Sequence, residues 1–307
     1  MIIDFLGSAA LFIFVMAEMT SGFRSCMGGR LKSTVIRLEQ NIFLSLLVGV
    51  MLTAVLQSSS AVTVLTVALV SAGTISFDSA VGLIMGANIG TCATSWLVAF
   101  SVSGGGKYAV PISAIIGLAL YFKKRGAGTA IFGFAVMMSA VNAMTEIAKT
   151  IDFDTLKPLM NSPISGFLTG LTVTAVIQSS SASVGVLQSL SGTGGFTLNI
   201  AVPVIIGQNI GTCVTALLSS FKQTKPAKAA ALYHLGFNTV GAVAAFAVYP
   251  FLPIPDTAAS SVSIALIHTL YNVMSTVINL PLYFLLRRIF YRKRQRNTFL
   301  PLPLRAK

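Results

Sequence analysis

The sequence predicts an all-α polytopic membrane protein with two inverted-topology repeats, each holding a re-entrant helical hairpin and a broken helix, plus one extra C-terminal span. Three observations predict this fold class. The chain of 307 residues is 54% hydrophobic and only 9% charged, whereas soluble domains are about 25% charged. Its apolar runs are long and separated by short basic loops, which favours membrane helices over the alternating strands of a barrel. Two polar motifs recur at one offset, which indicates an internal duplication.

The duplication is carried by a Gln-Ser-Ser-Ser-Ala motif and a Gly-x-Asn-Ile-Gly-Thr-Cys motif, both in apolar segments. The first lies at 57–61 and returns unchanged at 178–182, 121 residues later. The second lies at 86–94 and returns at 207–215 with seven of nine positions identical, at the same offset. Two motifs that share one offset predict two copies of one structural unit.

The first repeat is assigned to residues 1–122. No Lys or Arg precedes its first apolar run, so that run is expected to be a retained span rather than a signal peptide. A basic connector and a hairpin follow, then a span interrupted by Gly86 and Gly90, and a short final span. The predicted bounds of these apolar elements are 3–21, 41–72, 80–100 and 108–122.

The hairpin is predicted from the length of its segment. The apolar stretch 41–72 has 32 residues, whereas one span needs about 20. Two half-helices of about 15 residues would each be about 22 Å long. This length suits a re-entrant hairpin that turns at the polar quartet 57–60, and the second copy is expected to repeat it at 164–190.

The second repeat is assigned to residues 123–256. A last transmembrane helix at 257–286 and a basic cytoplasmic tail at 287–307 follow it. The spans predicted for this half of the chain are 127–147, 200–221, 229–251 and 260–286.

Basic residues set the predicted orientation. If the hairpins do not cross, 18 of the 21 Lys and Arg residues fall on one side, which the positive-inside rule places in the cytoplasm. The N-terminus is then outside and the C-terminus cytoplasmic, in a cell membrane such as a bacterial inner membrane. Three crossings per repeat invert the second copy, so the hairpins enter from opposite faces. If both hairpin segments instead crossed the membrane fully, Lys and Arg would still divide 18 to 3. Hairpins are therefore favoured by the segment lengths and the central polar quartets, not by the charge count.

The two quartets predict an anion site near the membrane midplane. A backbone turn at that depth must be buried in protein or line a watery cavity. The serines begin the second half-helices, where N-cap hydroxyls, free N–H groups and the positive end of the helix dipole attract an anion. No Lys or Arg lies in an apolar core, so dipoles, hydroxyls and amides are expected to form the site. The predicted substrate-binding residues are Gln57, Ser58, Ser59, Ser60, Gln178, Ser179, Ser180, Ser181, Asn88 and Asn209.

The second motif predicts a cation site. Its glycines would let the helix unwind, and freed carbonyls beside Asn, Thr and Ser oxygens are hard ligands for sodium. An anion and a cation bound between inverted repeats indicate a secondary transporter, with sodium as coupling ion and no other cofactor. The candidate sodium ligands are Gln57, Ser60, Asn88, Thr91, Gln178, Ser181, Asn209 and Thr212.

Other polar groups have competing interpretations. A lone serine run in a membrane helix usually serves helix packing, and only the duplication favours a site here. Glu18 and Glu146 are candidates for a coupling role. His234 and His268 each precede an Asn by four residues, a spacing expected to make helix contacts. The three cysteines lack paired spacing, so neither a disulfide scaffold nor a zinc site is expected.

At these motifs the sequence resembles the type II sodium–phosphate cotransporter family. The two quartets and the two Gly-x-Asn-Ile-Gly-Thr motifs carry the resemblance, and the His-x-x-Phe/Tyr-Asn patterns and the connector 27–32 support it. It covers nearly the whole chain. It implies sodium-coupled movement of inorganic phosphate by alternating access, with both quartets lining the phosphate and sodium sites.

The chain departs from the family pattern in two places. The residue after the motif threonine is often Thr or Ser in the family, but here it is Cys92 and Cys213, whose sulfur is a weaker sodium ligand. Bacterial relatives often carry a helical domain like the phosphate-uptake regulator after the last span. Only 21 residues follow the predicted last span at 260–286, so we expect a form of the family that lacks this domain.

The expected partners are inorganic phosphate, sodium and the lipid bilayer, and no enzymatic activity is expected. The net charge of +13 lies in loops and the tail without an aromatic platform, so nucleic acid is not an expected partner. A homodimer is left open. So are transport or export of another small oxyanion, a phosphate-responsive membrane scaffold, and a pore.

Overall fold

The computed structural model confirms an all-helical polytopic membrane protein. It describes residues 2–29, 41–152, 154, 157–191, 196–254 and 257–298. Six helices within these residues are long and apolar enough to cross a membrane. Most of the basic connector after the first span, and the end of the basic tail, lie outside the described residues.

The helices are numbered α1 to α13 in chain order. Their bounds are Ile2–Met27 (α1), Ile42–Leu56 (α2), Ser59–Ser71 (α3), Phe77–Phe100 (α4), Gly106–Tyr121 (α5), Arg125–Ala148 (α6), Lys157–Met160 (α7), Pro163–Ile177 (α8), Ser180–Leu190 (α9), Leu198–Gly211 (α10), Cys213–Ser220 (α11), Lys225–Val248 (α12) and Ser261–Thr298 (α13).

Both polar quartets lie at turns between two short helices. In the first copy α2 has 15 residues and α3 has 13, and in the second α8 has 15 and α9 has 11. Each is too short to cross a hydrocarbon core of about 30 Å alone. The two halves of each pair contact one another, as a hairpin requires. That the two hairpins enter from opposite faces stays a prediction.

The interruption predicted at Gly86 and Gly90 is wrong. Helix α4 runs unbroken from Phe77 to Phe100. The glycines instead let α2 approach closely: a Cβ on Gly86 would collide with the carbonyl oxygen of Leu46, and one on Gly90 would lie 2.6 Å from that of Val50. In these positions the missing side chain serves helix packing, which is the common use of small residues between membrane helices.

The second copy has the same close contact between α8 and α10. A Cβ on Gly207 would collide with the carbonyl oxygen of Phe167, and one on Gly211 would lie 2.5 Å from that of Leu171. Here the helix does divide, since α10 ends at Gly211 and α11 begins at Cys213. The residue between them, Thr212, keeps right-handed helical angles, so the division does not free an unwound stretch of backbone.

A kink in the first copy lies farther along, at Gly104. The spans predicted at 80–100 and 108–122 correspond to α4 and α5, which a π-helical segment, Ser101–Gly105, joins across the kink. Gly104 has a φ of 97°, a conformation that favours glycine. It marks the point where α4, packed on α2, gives way to α5, packed on α6.

Candidate functional site

The two hairpin turns share one backbone conformation. Gln57 ends α2 with a φ of 55°, and Gln178 ends α8 with a φ of 58°. They are the only non-glycine residues with positive φ in the described part of the chain. This conformation costs a non-glycine residue roughly 1–2 kcal/mol, and strained backbone of this kind clusters at ligand sites. Its duplication therefore marks the two turns, hereafter the tips, as a candidate site.

Ser58 and Ser179 cap the second half-helices, as their position predicted. The Oγ of Ser58 accepts the N–H of Ala61 at 3.2 Å, and the Oγ of Ser179 accepts the N–H of Ala182 at 3.2 Å. Each cap satisfies one of the donors left free at a helix start. Because α3 and α9 begin at the tips, the positive ends of both helix dipoles lie there.

The two tips are in direct contact. The hydroxyl of Ser60 donates to the main-chain oxygen of Gln178 at 2.8 Å. The last threonine of each second motif also reaches the second tip: Thr215 donates to the same Gln178 oxygen at 3.4 Å, and Thr94 donates to the Oγ of Ser181 at 3.3 Å. The structure thus places parts of both quartets, and one end of both second motifs, in one cluster.

A cavity of about 300 Å³ opens at the tips, hereafter the tip cavity. Both turns and the C-terminal part of α1 line it. The hydroxyl of Thr20 on α1 also donates to the main-chain oxygen of Leu56 at 3.0 Å, which holds α1 against the first tip. The polar lining residues are Thr20, Ser21, Arg24, Gln57, Ser58 and Ser179.

Arg24 is a lining residue that the sequence reasoning assigned to the connector. Helix α1 extends to Met27, beyond the predicted end at Ser21, because Phe23 and Met27 continue its partly buried face. Arg24 therefore lies in the last turn of α1 and lines the tip cavity. A basic side chain thus lies beside the tips, where the sequence led us to expect only dipoles, hydroxyls and amides. In the sequence, the i, i+4 spacing of Phe23 and Met27 could have indicated that α1 continues past Ser21.

Gln57 has a buried oxygen that no described group satisfies. Its side-chain nitrogen donates to the main-chain oxygen of Ala54. Its Oε1 is buried and has no hydrogen-bond donor among the described residues. Buried acceptors are nearly always paired, and an amide oxygen is a suitable ligand for a hard cation.

The other predicted site residues belong to the tips or to the second motifs but do not line the tip cavity. Ser59 and Ser180 are buried at the starts of α3 and α9. The motif amides and threonines bond to the carbonyl four residues earlier in their own helices, at 2.8 Å for both amides and 2.9 Å for both threonines. These four residues of the second motifs are Asn88, Asn209, Thr91 and Thr212.

The two motif cysteines mark a second duplicated contact. In the second copy, Cys213 on α11 donates to the main-chain oxygen of His234 on α12 at 3.5 Å. In the first copy, Cys92 on α4 donates to that of His268 on α13 at 3.7 Å. Helix α13, predicted as an extra span, thus contacts the first motif as α12 contacts the second. His268 also bonds through Nδ1 to the Oγ of Ser95 at 2.7 Å.

The two acidic candidates for coupling lie outside the tip cavity. Glu146 is exposed and pairs with Lys149 at 2.6 Å. Glu18 is exposed and lines an apolar groove between α1, α5 and α6. Neither position supports direct contact with an ion bound at the tips.

Paired helix tips that meet at a cavity inside a multi-pass helical protein are typical of membrane carriers of small ions. The comparison of sequences gives the family. The chain belongs to the Na+/Pi-cotransporter family, whose profile matches residues 11–146 and 149–249. The family consists of transporters rather than enzymes.

Three relatives show how the similarity is distributed. YqeW of Bacillus subtilis, an uncharacterized protein, is 29% identical over 304 residues, which cover 92% of this chain and 94% of that one. YjbB, a candidate inorganic phosphate export protein of Escherichia coli, is 23% identical over 91% of this chain and 53% of its own length. The sodium-dependent phosphate transport protein 2A of Rattus norvegicus is 35% identical over 65 residues, or 21% of this chain and 10% of its own. No solved structure matches the chain.

Proposed function

We propose that the protein carries inorganic phosphate across the membrane, coupled to sodium, by alternating access to a site between the two tips. The observation that carries the proposal is the tip cavity, where the turns of both quartets meet. Family membership and the names of two relatives support phosphate as the substrate.

The cavity supplies groups of the kind that bind an oxyanion. The N-caps of two helices, both serines, and one arginine line it, and helix N-termini, hydroxyls and guanidinium groups are common phosphate ligands in proteins. Its volume of about 300 Å³ equals that of roughly ten water molecules in the liquid. A phosphate ion can therefore enter with part of its hydration shell.

Sodium coupling is assigned to the first tip. The unpaired Oε1 of Gln57 and the hydroxyl of Ser60 belong to the same turn as the anion ligands. A cation held there would favour phosphate binding, and phosphate would favour the cation to the same degree, because the coupling free energy is reciprocal. Among the predicted sodium ligands, these two have the geometry that best fits the role.

The gradients of sodium and phosphate across the membrane, rather than the fold, set the direction of transport. The relative named as a candidate phosphate exporter spans 91% of this chain, which favours export as the alternative physiological direction. We retain the orientation given by the basic residues, with the N-terminus outside and the C-terminus in the cytoplasm. In that orientation the C-terminal end of α1 lies on the cytoplasmic side.

The test is radiolabelled phosphate flux in proteoliposomes. We expect saturable uptake that an inward sodium gradient drives and that potassium does not replace, with arsenate competing and sulfate competing poorly. Phosphate binding without any flux would replace the carrier by a phosphate-responsive scaffold. Flux that does not saturate and ignores the sodium gradient would replace it by a pore.

A further inference from the structure

We infer that Arg24 is the fixed positive charge that draws phosphate into the tip cavity and favours its divalent form. This inference rests on the proposed function and adds a residue that belongs to neither duplicated motif. It assigns to the end of α1 a role in choosing the charge state of the substrate.

The first argument is the position of Arg24 along the cavity. The lining of the cavity follows α1 from Ile13 to Arg24, a distance of about 16 Å along the helix axis. Arg24 is in the last helical turn and is exposed, so it lies where this wall of the cavity ends. A charge there meets an anion as it enters a cleft with low-dielectric walls, which focus the field of the charge.

The second argument is that the backbone carrying Arg24 is held in place. Thr20, one turn earlier, bonds to the end of α2 at 3.0 Å. Gly22 packs so tightly on α6 that a Cβ there would lie 2.7 Å from the main-chain nitrogen of Ala130. A fixed helix end limits the entropy lost when the guanidinium engages a ligand. Its planar fork can contact two phosphate oxygens at once.

The third argument is the lack of a competing carboxylate. Within the described residues Arg24 makes no ion pair, whereas Arg287 pairs with Asp78 at 2.6 Å and Lys149 pairs with Glu146 at 2.6 Å. Among the residues that the structure describes, no acidic side chain lines the tip cavity. The charge of Arg24 therefore acts on an anion in the cavity without compensation from the lining, and its attraction for a dianion is about twice that for a monoanion.

The fourth argument is that the second repeat has no basic residue at the position equivalent to Arg24. The equivalent position in the second copy, 121 residues later, is Thr145. Thr145 lines a different polar cavity of about 610 Å³ that contains neither tip. Arg24 thus gives the site a positive charge at one end only, the end that the proposed orientation places in the cytoplasm.

The test compares phosphate binding to detergent-purified wild type, Arg24→Gln and Arg24→Lys. We expect Arg24→Gln to weaken binding about tenfold, the usual effect of losing one charge-assisted hydrogen bond. Arg24→Lys should recover part of this loss. The wild type should bind more tightly as pH rises through the range in which dihydrogen phosphate loses a proton, and Arg24→Gln should lack this rise.

Arg125→Gln is the matched control. Arg125 is also exposed at a helix end, where its guanidinium lies 5.5 Å from the ring centre of Tyr121, and it does not line the tip cavity. Its replacement should leave affinity and pH dependence unchanged. As a measurement that needs no variant at Arg24, added choline chloride should weaken phosphate binding to the wild type, because ions screen an exposed charge.

The outcomes separate the inference from the proposed function. If Arg24→Gln binds phosphate with wild-type affinity and pH dependence, or if wild-type binding ignores salt, the role of Arg24 is refuted while the carrier stands. If the wild type neither binds nor moves phosphate, the proposed function and the role of Arg24 fail together. An equal loss in Arg125→Gln would show a general surface-charge effect and would also refute the specific role.

Discussion

The hydroxyl of Ser60 donates a 2.8 Å hydrogen bond to the main-chain oxygen of Gln178. The bond joins the turn of one hairpin to the turn of its copy, 118 residues further along the chain. The carbonyl oxygens of the last helical turn have no partner within the helix, so the oxygen of Gln178 is available at the tip. A displacement of one tip therefore acts directly on the other.

Ser60→Ala should slow phosphate uptake several-fold and leave the fold intact. The substitution removes the bond between the tips, at a cost of about 1 kcal/mol in stability, while Thr215 still donates to the Gln178 oxygen. Uptake in proteoliposomes and thermal unfolding in detergent measure the two effects. Ser139→Ala is the control, because the Ser139 hydroxyl bonds to the main-chain oxygen of Ala135 in its own helix at 3.0 Å. Equal uptake by both variants would contradict a functional role for the contact between tips.

Gly86→Ala should destabilise the protein by about 1–3 kcal/mol, the usual cost of overpacking a filled contact. The added methyl group would collide with the carbonyl oxygen of Leu46 and force α4 away from α2. A lower midpoint of thermal unfolding in detergent is the expected reading. Gly7→Ala is the matched control on another span, since a Cβ there meets nothing within 4 Å. If the two variants unfold at the same temperature, the close contact between α2 and α4 is not as described.

Gln178→Asn should preserve stability better than Gln178→Val. Both substitutions shorten an exposed side chain, but the backbone has a φ of 58°. Asn tolerates this left-handed conformation, whereas a β-branched residue does so rarely. We expect Gln178→Val to be less stable by about 1 kcal/mol or more. Denaturation curves that coincide would show that the second turn can relax without its left-handed residue.

Cys26 should be the only native cysteine that reacts with a maleimide. Its side chain is exposed, whereas Cys92 and Cys213 are buried in contacts between helices. Mass spectrometry after brief labelling should find one adduct in the folded protein and three after denaturation in SDS. Fast labelling of Cys92 or Cys213 in the folded protein would mean that α12 and α13 do not cover the second motifs. In sealed vesicles, an impermeant reagent should reach Cys26 from the cytoplasmic side only, which tests the proposed orientation.

The sequence predicted the hairpins because length and cap chemistry are local properties. A polar quartet in the middle of 32 apolar residues leaves few alternatives to a turn, and Ser58 and Ser179 cap their helices as serines at such positions do. Duplication then placed equal turns in both halves. The turn within each hairpin could therefore be predicted from the polar quartet and the length of the apolar segment around it.

Contacts between distant elements did not follow from the sequence. Gly86 suits either an unwound helix or a close helix contact, and only the position of Leu46 on α2 decides between them. Arg24 joins the cavity because α1 continues for another helical turn. The contact of Cys92 with His268 depends on how α13 packs against α4, 176 residues away in the chain. Each of these depends on tertiary packing rather than on local pattern.

The central claim is that phosphate binds between the two tips, and the most direct test removes one hydroxyl that lines the tip cavity from each. Ser58 and Ser179 are the N-caps of α3 and α9, and glycine at an N-cap costs only a few tenths of a kcal/mol. Sodium-driven phosphate uptake into proteoliposomes is measured for the wild type and the Ser58→Gly, Ser179→Gly variant at equal thermal stability. The account predicts that uptake by the variant falls to the level of empty liposomes. Uptake at the wild-type rate would contradict it.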